Sequence, residues 1–251
     1  MLLAIDIGNS NVHLGLFRGK KLVKDWNLPS RPDWSFEKYF SLIKPVIARS
    51  AKRDEAISCA IASVVPLLTR IFQKVGMELS REMPLIVNAK NCSGLKVKVD
   101  HPKEVGADRL VNALAAIELY GAPAIVVDFG TAVTFDLVSA KKEYLGGVIA
   151  AGMQTTAEAL HRRTALLPEI RLARPKRVRG TNTVACMQSG IYYGAIGLIE
   201  ALVPRLQKEL RWSRPKLILT GGHAALISHE LSLPHKLAPK LTLQGLQIIT
   251  G

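Results

Sequence analysis

The sequence predicts an α/β protein built from two related halves. Three observations carry that reading. Leu3-Ala4-Ile5-Asp6-Ile7-Gly8-Asn9-Ser10 opens the chain, and Ile125-Val126-Val127-Asp128-Phe129-Gly130-Thr131-Ala132 repeats its pattern 122 residues later. Each is an apolar run followed by Asp, an apolar residue, Gly and two small residues. Each half then holds a strand that runs through a small-residue loop into a helix, and the two pairs come in the same order. The boundary is expected at Tyr120-Gly121-Ala122-Pro123, where turn residues separate a helix from a strand. That gives an N-terminal half, 1–120, and a C-terminal half, 121–251.

In the first half, alternation continues through Val12, Leu14 and Leu16, so residues 3–16 read as a β-hairpin turning at Gly8. Ile57–Ile61 is a strand, and Ala62-Ser63-Val64-Val65-Pro66 leads into a helix carrying Leu67, Leu68 and Ile71. After His101-Pro102-Lys103-Glu104-Val105-Gly106-Ala107-Asp108-Arg109, a helix places Leu110, Leu114 and Ile117 on one face. The second half repeats the hairpin with Val133, Phe135 and Leu137. Lys216–Leu219 is a strand, and Thr220-Gly221-Gly222 leads into a helix with Ala224, Leu226 and Ile227. Between them Gly180-Thr181-Asn182-Thr183 opens a long helix reaching roughly Leu210.

Composition narrows the classes. With 48% hydrophobic and 22% charged residues over 251 positions, the chain is an ordinary globular protein. Cys59, Cys92 and Cys186 are too few for a disulfide framework and form no CxxC pair, so a reducing cytoplasm is expected. Met1–Ile5 is too short a run for an export signal. Gly180–Ile199 lacks charge, but its Thr, Asn, Gln, Ser and Gly content reads as a buried helix of a soluble protein rather than a membrane span. The net charge of +14 is spread over both halves, +6 and +8. Only 161–180 is dense, with Arg162, Arg163, Arg171, Arg174, Lys176, Arg177 and Arg179 against Glu169. No aromatic side chain interleaves them, so nucleic acid is not the expected partner.

Paired Asp–Gly hairpins suit a nucleoside triphosphate: glycine admits the phosphates to the backbone, and the carboxylates hold hydrated cations. GxxxxGK[ST] and GxGxxG are absent, as are HExxH, HxxxH and GxSxG, which disfavours P-loop, Rossmann, metallohydrolase and serine-hydrolase readings. Asp108 near a helix start is either a cap or a functional carboxylate kept ionised by the dipole. Arg109 gains nothing from that dipole, and a substrate carboxylate would explain it. On the long helix Gly190, Gly194 and Gly197 share a face, which implies close approach of another helix or subunit.

Five motifs occur in an order that resembles the type III pantothenate kinases: Asp6–Asn11, Gly106–Arg109, Asp128–Ala132, Gly146–Gly152 and Gly180–Thr183. The resemblance covers essentially the whole chain and places it in the acetate and sugar kinase/Hsp70/actin superfamily. It implies two ribonuclease-H-like domains with a nucleotide cleft between them, and ATP-dependent phosphorylation of pantothenate in the cytoplasm, by a homodimer. It implies that Asp6, Ile7, Gly8, Asn9, Ser10, Asn11, Val12 and His13 form the first phosphate loop and that Thr131 contacts ATP. Gly106, Ala107, Asp108 and Arg109 would hold pantothenate, with Asp108 the proton acceptor, and Thr183 would touch the same substrate. Asp128 would bind a monovalent cation, K⁺ or NH4⁺, beside the Mg²⁺ of ATP. The family's usual Tyr three residues before Pro102 is Val99 here, and Ser10 replaces the commoner Thr. Two rivals remain at this point: a nucleotide- or nucleic-acid-binding regulator, and a sugar or carboxylate kinase of the same superfamily.

Overall fold

A computed structural model describes residues 1–51 and 55–251. They form two compact units, one of Met1–Ala115 with Leu241–Gly251, the other of Ala116–Lys240. The repeat placed the divide near Tyr120–Pro123. The units instead divide within a helix, and the last eleven residues return to the first unit.

In the first unit β1 (Leu2–Ile7), β2 (Asn11–Arg18) and β3 (Lys21–Pro29) form an antiparallel meander. Helix α1 (Phe36–Ser50) follows, its start capped by the Ser35 hydroxyl, which accepts from the Lys38 N–H at 3.4 Å. β4 (Ser58–Ser63) joins β1 in parallel, α2 (Pro66–Ser80) begins with proline at its first position, and β5 (Leu85–Ile86) joins β4. The strand order is β3-β2-β1-β4-β5. β6 (Lys96–Val97) and α3 (Ala107–Tyr120) come next.

The two faces of this sheet are built differently. On one, Leu3, Ile5, Ile7, Leu14 and Leu16 are fully buried against Tyr39, Ile43, Leu68 and Phe72 of α1 and α2. The other carries small residues, because the C-terminal helix α7 (Leu241–Thr250) lies close to it. A Cβ on Gly15 would come within 2.9 Å of Leu243 Cδ1, and one on Gly245 would strike Val111 of α3 at 2.5 Å. Thr242 donates to the buried Asn112 Oδ1 at 2.8 Å, fixing α7 to α3.

The second unit repeats the plan. β7 (Ala124–Phe129), β8 (Ala132–Val138) and β9 (Glu143–Ala151) form the meander. After α4 (Met153–Arg163) and α5 (Thr183–Glu209), β10 (Lys216–Thr220) pairs with β7 in parallel, and β11 (Lys236–Leu237) follows the short α6 (Ala224–Ser228). The order runs β11-β10-β7-β8-β9. Ile125, Val127, Phe129 and Phe135 pack against Met187, Tyr192, Ile196 and Ile199 of α5. An antiparallel meander extended in parallel by a strand–helix unit is the ribonuclease-H-like arrangement, present twice. α5 is long and apolar enough to cross a membrane, yet it carries this unit's core on its buried side.

Candidate functional site

In the first unit the hairpin turns where the sequence placed it. The Gly8 N–H donates to Asn11 O at 3.0 Å, and a Cβ on Gly8 would crowd that oxygen at 3.3 Å. Close approach, not a positive φ, favours the glycine. Ser30, at the end of β3, pins the loop: its hydroxyl donates to Gly8 O at 2.5 Å, and its N–H to Ser10 O at 3.1 Å. Sequence reading missed Ser30, whose only signal is its position after the third strand.

The phosphate-loop run is not uniform. Asn9, Ser10 and Asn11 are exposed and Asp6 and His13 half-buried. Ile7 and Val12 are fully buried in the core, so only their backbones can reach a ligand. Asp6 and His13 lie directly opposite across β1 and β2, and His13 Nε2 lies 3.1 Å from Asp25 Oδ2.

The acceptor motif reaches the same hairpin through Val64. The Val64 N–H donates to Ile7 O at 3.1 Å, and a Cβ on Gly106 would come within 3.2 Å of Val64 Cγ1. Helix α3 starts at Ala107, so Asp108 is its second residue and not its cap. The Asp108 Oδ1 accepts the Arg109 N–H at 2.8 Å. The residue keeps some solvent contact, but its carboxyl is enclosed by protein. Burial raises its pKa above the ordinary carboxylate value, outweighing the opposing Arg109 N–H and guanidinium. Desolvation thus works against the helix dipole that the sequence reading relied on to keep Asp108 ionised. Ala107 is buried and can offer a substrate only its backbone. Arg109 is half-buried and Val99 likewise.

In the second unit the Gly130 N–H donates to Ala132 O at 3.0 Å, closing the matching turn. Asp128 at the end of β7 is half-buried, and Thr131 is exposed at the loop tip. Thr131 O accepts from the Gly152 N–H at 3.1 Å and the Thr155 hydroxyl at 2.6 Å. Gly221, at φ +89°, packs onto the strand end so tightly that a Cβ there would overlap Asp128 Oδ1 and the Phe129 backbone. The Gly221–Gly222 pair was legible only as a loop. Here Gly221 alone forms the wall beside Asp128, and a Cβ on Gly222 would meet nothing within 4 Å.

His223 follows that wall. Its backbone N–H donates to Phe129 O at 3.4 Å, while Nδ1 is buried without a hydrogen-bond partner among the described residues. Desolvation lowers its pKa, favouring neutral imidazole. A depressed folded-state pKa means that the unfolded chain binds the proton first. Stability is therefore complete above the unfolded value of about 6.5 and declines as pH falls below it. Melting temperatures followed from pH about 8 to about 5 should drop less steeply for His223→Asn than for the parent.

Thr183 is exposed at the first position of α5, and the preceding Asn182 is the cap, its Oδ1 accepting from the Ala185 N–H at 2.9 Å. Gly180 folds onto this first turn, where a Cβ would overlap the Cys186 backbone. Burial pushes the thiols of Cys59 and Cys92 up to about 12 and about 11, so neither is a nucleophile.

The basic segment after α4 is exposed, and Arg174 pairs with Glu230 at 2.6 Å. A cavity of about 280 Å³ beside it, lined by Glu158, His161, Arg162 and Glu169, holds none of the motif residues. Among the described residues no group of three or more His, Cys, Asp or Glu could hold a metal. Single carboxylates such as Asp6 and Asp128 suit cations that keep water and substrate oxygens as ligands.

Comparison with known proteins gives consistent matches. The family model for type III pantothenate kinase matches residues 2–205. The chain is 46% identical over 249 residues to a type III pantothenate kinase of Dehalococcoides mccartyi, covering 99% of this chain and 96% of the relative. It is 44% identical to one of Moorella thermoacetica, covering 99% and 98%. In structure it is similar to the ethanolamine utilization protein EutJ from Carboxydothermus hydrogenoformans, with TM-score 0.56, 12% identity and coverage of 98% and 89%. That last likeness concerns the fold alone.

Proposed function

This chain belongs to the type III pantothenate kinase family, and on that premise we propose that it phosphorylates pantothenate with ATP, the first step toward coenzyme A. The observation that carries the site assignment is the enclosed Asp108 carboxyl beside Arg109, joined through Gly106 and Val64 to Ile7 of the phosphate loop. A carboxylate whose pKa is raised by burial is a better proton acceptor than an exposed one.

The substrate hydroxyl oxygen forms a bond to the γ-phosphorus while the bond from that phosphorus to the β–γ bridging oxygen breaks. ADP leaves, and the hydroxyl proton passes to Asp108. Arg109 holds the pantothenate carboxylate, with Gly106 and Ala107 contributing backbone and Thr183 a hydroxyl. Asn9, Ser10 and Asn11 offer side-chain and backbone groups to the phosphates, Gly8 admits them to the backbone, and Thr131 supplies a second contact. Asp6 is suited to the hydrated Mg²⁺ of ATP and Asp128 to a monovalent cation. The half-buried Asp128, walled by Gly221, fits that assignment. When bound, these cations neutralise charge on the transferring phosphoryl group. The test is ADP release by the purified protein with Mg²⁺, K⁺ and a panel of pantothenate, sugars and carboxylic acids. Release that depends on a sugar and not on pantothenate refutes the reading.

We assign the molecule to the cytoplasm, in keeping with its three free cysteines, and we infer a homodimer. Cβ atoms added at Gly190, Gly194 or Gly197 would meet nothing within 4 Å, so one copy of the chain leaves the glycine face of α5 open. Gly190 and Gly194 of that face line a groove of about 180 Å³ with Met153, Thr156 and Leu198. Interior helical glycine costs about 1 kcal/mol per position, which close approach of a second copy would offset. Light scattering at micromolar concentration should give twice the chain mass, and Gly194→Arg should give the chain mass without loss of folding. A monomeric parent contradicts the inference.

A further inference from the structure

Asp136, in the middle of β8, is fully buried. A buried carboxylate costs several kcal/mol unless it is well paired, and an apolar residue of similar size would serve a sheet core better. Its Oδ1 accepts from the buried Tyr144 hydroxyl of β9 at 2.8 Å, and its Oδ2 from Thr134 Oγ1 at 3.3 Å. Thr134 is the residue directly opposite Asp128 on the β7–β8 ladder. Directly opposed residues share a face, so Asp128, Thr134 and Asp136 lie in line on one side of the sheet, with Asp128 and Asp136 roughly 7–8 Å apart as diagonal neighbours.

The chemistry of the hydroxyl gives this line a direction. A threonine hydroxyl carries one proton and two lone pairs. The Thr134 hydroxyl spends its one proton on Asp136 Oδ2, which leaves its oxygen lone pairs as electron-pair donors beside Asp128. Thr134 is half-buried and thus open to a small ligand, whereas Asp136 is not. In the first unit a carboxylate also holds the residue at the matching ladder position, although it comes from the neighbouring strand β3. There His13 stands opposite Asp6 and is held by a second carboxylate, Asp25, at 3.1 Å.

We propose that Thr134 is a second oxygen ligand for the monovalent cation held by Asp128, and that Asp136 is the positioning residue that orients the Thr134 hydroxyl for it. The proposal rests on the assignment of a cation to Asp128. Outer residues that orient a metal ligand typically change affinity ~10–100-fold when replaced.

The experiment measures the K⁺ concentration giving half of the maximal rise in melting temperature, without nucleotide, and the K⁺ concentration for half-maximal turnover. Thr134→Val removes the donor oxygen at constant shape, Asp136→Asn leaves a single acceptor oxygen for the Tyr144 and Thr134 hydroxyls, and Thr134→Ser restores the hydroxyl. Both K⁺ values should rise about tenfold or more in Thr134→Val and Asp136→Asn and stay near the parent's in Thr134→Ser. The KM for ATP at saturating K⁺ should change little. If the parent responds to K⁺ and Thr134→Val responds identically, the proposal is wrong and the Asp128 assignment stands. If the parent shows no response to K⁺ over Na⁺, both fall together. Should Asp136→Asn fail to fold, the Thr134 pair alone decides.

Discussion

Asp108→Asn should lower turnover by about 10²–10⁴-fold, the range for loss of a general base. Asparagine keeps the shape and can still accept the Arg109 N–H that Asp108 Oδ1 accepts at 2.8 Å. It cannot take a proton. ATP binding should survive, since Asp6, Gly8 and Thr131 lie on other loops. The folded protein should not suffer. Burial raises the Asp108 pKa, so the native state holds this proton more tightly than the unfolded chain does. Stability therefore declines as pH rises from the unfolded value of about 3.9 through the higher folded one. Above that window the buried charge is a burden that asparagine removes, and the variant should melt at the parent's temperature or higher at neutral pH. In the parent, the acid limb of kcat/KM should lie above the ordinary carboxylate range, because Asp108 must lose its proton to act. Near-normal turnover in Asp108→Asn would leave the acceptor site unassigned.

Gly221→Ala should be the most damaging single-methyl change in the second unit. Gly221 sits at φ +89°, and a Cβ would overlap Asp128 Oδ1 and the backbone of Phe129. Strain at such a residue costs about 1–3 kcal/mol. The wall must also move away from Asp128, and a 1 Å misplacement at a reacting site can cost roughly 10²-fold in rate. Gly130→Ala is the control on the same loop. Its Cβ would meet Ala132 O at 3.6 Å and Asp128 Oδ1 at 3.9 Å, ordinary contacts. Melting temperature and kcat should both fall in Gly221→Ala, and the melting temperature should change little in Gly130→Ala. Equal behaviour of the two variants would remove Gly221 from the description of the site.

The paired hairpins were legible because they are local: Asp6 and Asp128 end apolar strands, and Gly8 and Gly130 close turns within three residues. The long helix was legible from Asn182, which caps α5, to Leu210 at its end. What tertiary structure decides was not legible. Helix α7 went unread in the sequence, and its packing on Gly15 and Val111 returns it to the first unit. Asp108 near a helix start reads as either a cap or an ionised functional carboxylate, and the desolvation that raises its pKa comes only from the protein packed around it. Asp136 gave no sequence signal at all. Its meaning depends on the register that sets Thr134 opposite Asp128 and on Tyr144 arriving from β9. Ile7 and Val12 sit inside the motif we assign to phosphate, yet strand alternation turns their side chains into the core.

The measurement that reaches the central claim most directly is phosphorus NMR of a reaction containing the purified protein, ATP, Mg²⁺, K⁺ and pantothenate, with Asp108→Asn run beside it. The predicted result is loss of the γ-phosphate signal, matched by a new phosphate monoester on the pantothenate primary hydroxyl, with the variant forming that ester about 10²–10⁴-fold more slowly. Release of inorganic phosphate without the ester, or equal ester formation by Asp108→Asn, would contradict the account.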